Sequence, residues 1–193
     1  LQALMAGNRR FAEAWRLALE ENRATLRGTD PDPRCFNSPR ALATSQRPWA
    51  TVLTCSDSRV SPNWVFDTTP GDLFVIRNAG NSAFDEAIAS VEYGVSVLKT
   101  PLVMVMGHSG CGAVTAAMDD KPLTPSLERL IHPIEETISG SSNLAEAVRR
   151  NALATASTLI QRSSALAEAK SSGALKLVVG YFELTTGVVT LIK

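Results

Sequence analysis

Two short stretches of this chain bring together two thiols, an imidazole, a carboxylate and a guanidinium. Cys55-Ser56-Asp57-Ser58-Arg59 follows the largely apolar run Trp49–Thr54, and His108-Ser109-Gly110-Cys111 follows Leu102–Gly107. Thiolate and imidazole are the soft and borderline donors that suit zinc. Three protein donors leave a fourth position open, and an open position distinguishes a catalytic zinc from a structural one. Asp57 and Arg59 place charged partners in the same loop as a metal donor. Each motif is weak by itself. A Cys with an Arg four residues on spans too little chain for a thiolate-phosphatase loop, and Gly107–Gly112 lacks the Lys-Ser/Thr that completes a P-loop. The weight comes from the pair, since both motifs close an apolar run and bend into a polar loop at the same relative place.

Loops so distant in sequence can meet if both runs are strands of a parallel sheet, because all carboxyl ends then lie along one edge. The intervening chain supports this. Leu73–Arg77 reads as a buried strand opened by the turn Pro70-Gly71-Asp72. Phe84, Ile88, Val91, Val95 and Leu98 then recur at helical spacing, and Pro101 closes that helix. Leu1, Leu4, Met5, Phe11, Trp15 and Leu19 predict an early amphipathic helix, expected to pack on a second copy. Asn143–Lys170 is Ala-rich and helical, loosened at Ser163-Ser164 and again at Ser171-Ser172-Gly173. Leu175–Phe182 and Val188–Ile192 predict a hairpin around Thr185-Thr186-Gly187. The expected fold is α/β: a central, mostly parallel sheet of about four parallel strands plus one antiparallel C-terminal strand, flanked by helices. It forms a single domain over 1–193, with a helical arm and Pro-rich link over 1–45 and a zinc-binding core over 46–193.

Cys55-Ser-Asp-Ser-Arg59, His108-x-x-Cys111 and Arg77-Asn-Ala-Gly-Asn81 together resemble the β-class carbonic anhydrases over nearly the whole chain. The resemblance implies one Zn2+ per chain, held by Cys55, His108 and Cys111, with Asp57 and Arg59 as a hydrogen-bonded dyad beside it. It implies reversible hydration of CO2 to bicarbonate and a proton by zinc-bound hydroxide. Gln46 falls where plant-like members place an amide that hydrogen-bonds substrate. Phe74 and Tyr93 fall where those members line the pocket across a dimer interface, and Gly112 matches a backbone site near substrate. A homodimer or higher even homo-oligomer follows.

The chemistry asks for the same residue types. Zinc lowers the pKa of bound water from about 16 toward neutrality. Two thiolates on the metal work against this, so an acceptor that orients the hydroxide is useful. Asp57 can serve if a bidentate pair with Arg59 keeps it ionised and off the metal. CO2 is small and apolar and suits an apolar pocket with one or two directed donors. Read without the resemblance, Phe74 is equally a core strand residue and Tyr93 equally a helix-packing residue. Bicarbonate-inhibited members carry a Trp three residues before the first zinc Cys, where this chain has Val52. Arg77 matches their bicarbonate-binding Arg but also begins the general Arg-Asn-Ala-Gly-Asn stretch. The expectation is a constitutively open site; in the closed kind Asp57 is itself the fourth ligand. The alternatives are hydrolysis of carbonyl sulfide or carbon disulfide at the same zinc, or a non-catalytic zinc or bicarbonate sensor, which has no need of the dyad.

Composition fits one globular domain. The 193 residues can build one sizeable core, and a formal net charge of zero gives no electrostatic case for nucleic acid or an anionic membrane. No apolar run approaches the roughly 18 residues of a membrane span. Of three cysteines, Cys35 is left unpaired among Pro31, Pro33 and Pro39, so no disulfide framework is expected and Cys35 has no assigned role. His132, before Pro133, reads as a helix-surface or turn residue. The chain begins at Leu1 and is expected to be trimmed. A soluble, cytoplasmic protein is expected, or a periplasmic or organellar one if a targeting peptide preceded it.

Overall fold

The computed structural model describes residues 1–20, 39–119 and 121–193. Cys35, Pro31 and Pro33 lie outside the described residues. Five strands, β1 (Ala50–Cys55), β2 (Leu73–Asn78), β3 (Leu102–His108), β4 (Lys176–Glu183) and β5 (Val188–Ile192), form one sheet in the order β2-β1-β3-β4-β5. The first four are parallel and β5 is antiparallel to β4, as the sequence predicts. Every residue of β1 and β3 is buried, which is why both read as unbroken apolar runs and not as alternating ones. β1 is flanked by β2 on one side and β3 on the other. The chain therefore leaves β1 toward one edge and returns past it toward the other. The carboxyl ends of β1 and β3 form the crevice where such sheets place their ligands.

The helices are α1 (Gln2–Glu20), α2 (Pro39–Thr44), α3 (Pro62–Val65), α4 (Asp85–Glu92), α5 (Gly112–Met118), α6 (Pro125–Ile138), α7 (Leu144–Arg162) and α8 (Ser164–Ser171). Pro39, expected in the Pro-rich loop, instead opens α2. The predicted helix from Phe84 to Leu98 is not one regular cylinder: α4 passes into a wide π turn over Tyr93–Val97. Gly94 sits in that turn against β1, where a Cβ would meet Thr51 Oγ1 at 2.5 Å. The serine pair predicted to loosen the Ala-rich helix marks the boundary between α7 and α8. Ser163 Oγ accepts the Leu166 N–H at 3.1 Å and caps α8. α6 is not among the predicted elements, because Pro133 lies inside it. That proline faces solvent, as does His132, while Ile131, Ile134 and Ile138 are buried. Among the described residues no helix is long and apolar enough to cross a membrane.

The first turns of α1 pack on their own subunit through two adjacent small residues. A Cβ on Gly7 would stand 1.7 Å from the Phe66 carbonyl oxygen, so only glycine lets α1 lie this close to the end of α3. Asn8 is 2% exposed; its amide donates to Val65 O at 3.1 Å and Gly187 O at 2.8 Å, and its Oδ1 accepts from Val189 N at 2.7 Å. The stripe expected to dock on a second copy is thus committed to its own subunit from Leu4 to Phe11. Leu17 and Leu19, at the far end, remain exposed. Asn8→Ala strips three buried partners of their hydrogen bonds, a loss of roughly 2–3 kcal/mol. For a chain of this size that lowers the melting temperature by about 4–12 °C. An unchanged thermal melt would show that α1 is not clasped this way.

Candidate metal site

Cys55 is the last residue of β1, His108 is the last residue of β3, and Cys111 caps the start of α5. The strand order places these ends side by side. The two sulfurs are 3.9 Å apart, and all three donor atoms lie within 4.8 Å of one another. All three side chains are buried.

His108 carries the most direct sign of a cation. Its Nδ1 lies 2.9 Å from Ser109 O, an interaction that needs Nδ1 to carry the proton. That leaves Nε2 as a bare lone pair, and it is fully buried without a hydrogen-bond partner. A buried acceptor left unpaired is costly, and a metal-ligating histidine bonded to a carbonyl through its other nitrogen removes that cost. The thiols tell the same story. The neighbouring Cys111 thiol, aided by the Gly80 N–H at 3.4 Å, pulls the Cys55 thiol well below its ordinary pKa. Cys111 is pushed up, because it donates to the Cys55 sulfur and is buried beside it. The protein alone thus supports one thiolate here and resists the second; a divalent cation allows both.

Asp57 faces this cluster from the β1 loop. Arg59 donates Nε to Oδ1 at 2.9 Å and Nη2 to Oδ2 at 2.6 Å, and its own N–H adds a third bond to Oδ1 at 2.9 Å. This bidentate pair holds the Asp57 carboxyl far below the usual carboxylate range. Asp57 Oδ2 stands 3.8 Å from His108 Nε2. Arg59 also reaches Gly110 O at 3.2 Å, tying the two loops together.

Three further residues support this arrangement: Arg77 and Gly80, which belong to the Arg77–Asn81 stretch singled out in the sequence, and Asn151, which sequence reasoning missed. Arg77 donates Nε to Cys55 O at 3.0 Å and Nη2 to Asp57 O at 2.7 Å, so its guanidinium braces the loop. Gly80, with φ of 78°, brings its N–H to the Cys55 sulfur, and a Cβ there would meet Ile134 Cδ1 at 2.5 Å. Asn151 on α7 secures that turn by donating to Gly80 O at 2.7 Å. The available signal for Asn151 was a polar residue within the buried Ala147-Val148-Ala152 face of an otherwise apolar helix stripe.

Gly112 directly follows Cys111, and a Cβ there would meet nothing within 4 Å, so its backbone is approachable. The other expected substrate residues do not join the site of this chain. Phe74 and Tyr93 meet, with ring centroids 5.9 Å apart. Yet Phe74 is in register with Thr51, four residues before Cys55, which is roughly 13 Å back along β1 at strand rise. Tyr93 is exposed, and so is Gln46 in the segment leading into β1.

The comparisons with known proteins agree with one another. The family described as Carbonic anhydrase matches residues 50–189. The chain is 34% identical over 184 residues to Carbonic anhydrase 2 of Mycobacterium tuberculosis strain H37Rv, covering 90% of this chain and 89% of that protein. It superposes on the Coccomyxa β-carbonic anhydrase, solved in complex with acetazolamide, with a TM-score of 0.72 at 25% identity, covering 98% of this chain and 84% of that one. One of two tetrameric β-carbonic anhydrases from Sordaria macrospora shares the fold at a TM-score of 0.69 and 23% identity, covering 93% and 92% of the two chains.

Proposed function

This chain belongs to the β-class carbonic anhydrases, whose general reaction is the hydration of CO2, and we propose that it performs that reaction reversibly with one Zn2+ held by Cys55, His108 and Cys111. The observation that carries the ligand assignment is the buried, unpartnered Nε2 of His108 facing two thiols within 4.8 Å. Bound there, Zn2+ supplies a Lewis acid that brings the pKa of a water toward neutrality. Asp57, ionised and held by Arg59, is placed to accept a hydrogen bond from a water that such a metal would hold and so to orient it toward CO2. Arg59 keeps both carboxylate oxygens engaged, which would leave a position on the metal free for water; without that restraint Asp57 would become the conditional fourth ligand. Gly112 presents open backbone directly after Cys111, where it could meet a substrate or product held at that metal.

Gln46, Phe74 and Tyr93 are proposed to serve the site of a second copy, not their own. Support comes from the roughly 13 Å between Phe74 and the end of β1 and from the exposure of Tyr93 and Gln46. A homodimer or a higher even oligomer follows, and the tetrameric fungal relatives are consistent with it. Two observations favour the constitutively open kind. Val52 is fully buried in β1 between Val75 and Met104, and two nitrogens of Arg77 are already engaged by backbone carbonyls.

Stopped-flow CO2 hydration with a pH indicator tests the reading. Zinc-loaded protein is expected to turn over CO2 far above the buffer rate. A rate no better than buffer overturns the assignment, and sulfide release from carbonyl sulfide or carbon disulfide in its place would transfer the site to those substrates.

A further inference from the structure

His108 must present Nε2 as a lone pair, so everything depends on Nδ1–H staying on the Ser109 carbonyl. That carbonyl belongs to a loop residue beside Gly110, whose φ is 65°, a place where a peptide can readily turn. The structure fixes it from β4. Ser109 N–H donates to Phe182 O at 2.9 Å, in continuation of the strand pairing. Ser109 Oγ donates its only proton to Glu183 Oε1 at 2.7 Å and accepts the Leu184 N–H at 2.9 Å. The same Glu183 oxygen also accepts from Thr185 N at 3.3 Å and Thr185 Oγ1 at 3.1 Å. The polarity of this chain has one direction: Leu184 N–H to Ser109 Oγ–H to Glu183. With Glu183 as pure acceptor the Ser109 hydroxyl has a single orientation, and residue 109 is held on both its backbone and its side chain.

We propose that Glu183, acting through Ser109, is a positioning residue that fixes the tautomer and ring orientation of His108 as a metal ligand. Glu183 touches neither the ligands nor the reacting atoms, and its effect travels through one hydroxyl and one carbonyl. This inference rests on the zinc reading of the site. Outer partners of ligating histidines set metal affinity by about 10- to 100-fold. Glu183 also closes the β4–β5 turn through Thr185, a structural role from which positioning must be separated.

The test measures zinc dissociation to a competing chelator and the 15N ring signals of His108 in the whole protein. The chain has only two histidines, and His132 is exposed, so the His108 signals are readily assigned. Glu183→Ala is expected to weaken zinc binding about 10-fold or more and to shift or broaden the His108 Nδ1–H signal. Glu183→Gln, which keeps an acceptor for the Ser109 hydroxyl, is expected to restore both. Thr185→Ala, which removes one of the turn bonds but leaves Ser109 and Glu183 paired, is expected to change neither. If Glu183→Ala lowers only the melting temperature, with zinc dissociation and the Nδ1–H signal unchanged, Glu183 is a turn residue and the proposal fails. A wild-type protein that binds no zinc would overturn the metal reading itself, and this inference with it.

Discussion

Arg59→Ala is expected to retain one zinc per chain and lose at least about 100-fold in turnover, the scale on which a catalytic group is lost to misplacement. The side chain supplies two of the three hydrogen bonds on Asp57 and its one charge-assisted bidentate partner. Once they are gone, a carboxylate whose Oδ2 already lies 3.8 Å from His108 Nε2 is free to turn toward the Cys55, His108 and Cys111 donors. It would then serve as a fourth donor to a bound zinc, keeping the metal while displacing water. Arg59→Lys is expected to fall between, because an ammonium cannot make the bidentate pair. Elemental analysis and CO2 hydration on the same samples decide it; full turnover in Arg59→Ala would show that the dyad does not hold Asp57 off the metal. The pairing also has a pH consequence. Arg59 lowers the Asp57 pKa, so the pair is fully formed above the ordinary carboxylate value near 4 and is lost only as pH falls through the lower folded value. Any pH dependence of turnover between about 5 and 9 therefore arises elsewhere.

Cys111→Ala and His108→Ala carry the largest effect on metal content: zinc is expected to fall from one per chain to near zero, with hydration at the buffer rate. Each removes one of three donors from a site in which all three are buried, and no other His, Cys, Asp or Glu cluster among the described residues offers a replacement. Because bound metal stabilises the folded state in proportion to its affinity, added zinc should raise the melting temperature of the wild type and leave these variants unmoved. His132→Ala, on the exposed face of α6, is the matched control and should keep both zinc and activity. Full zinc retention in Cys111→Ala would show that the metal sits elsewhere.

Much of the centre was readable in one dimension because its chemistry is local. Asp57 and Arg59 pair across two residues, and Cys55 and His108 each end an apolar run, so donor type, loop position and strand identity all lie within a few neighbouring residues. The parallel strands, the C-terminal hairpin and the Ala-rich helix follow from the same short-range periodicities. Short-range periodicity is ambiguous at two places. Pro133 lies inside α6, and the predicted helix after Phe84 divides into α4 and a π turn in which Gly94 lies close against Thr51 of β1, a contact the helical spacing does not contain.

What only the tertiary structure decided are contacts that no short-range pattern encodes. The order β2-β1-β3 sets Cys55 beside His108, and nothing in either strand specifies which neighbour it takes. Asn8 and Gly7 clasp α1 to its own subunit through bonds that span most of the chain, so an amphipathic stripe could not say which surface it covers. Asn151, Arg77 and Glu183 act on the site from other elements through single carbonyls and hydroxyls. Register along β1 and β2 likewise carries Phe74 away from its own cysteine, a distance the motif spacing does not contain. Donor chemistry is a property of residue type and near neighbours, and the sequence holds it. Which donors meet, and what holds them in orientation, depends on packing between distant segments, and only the folded chain supplies that.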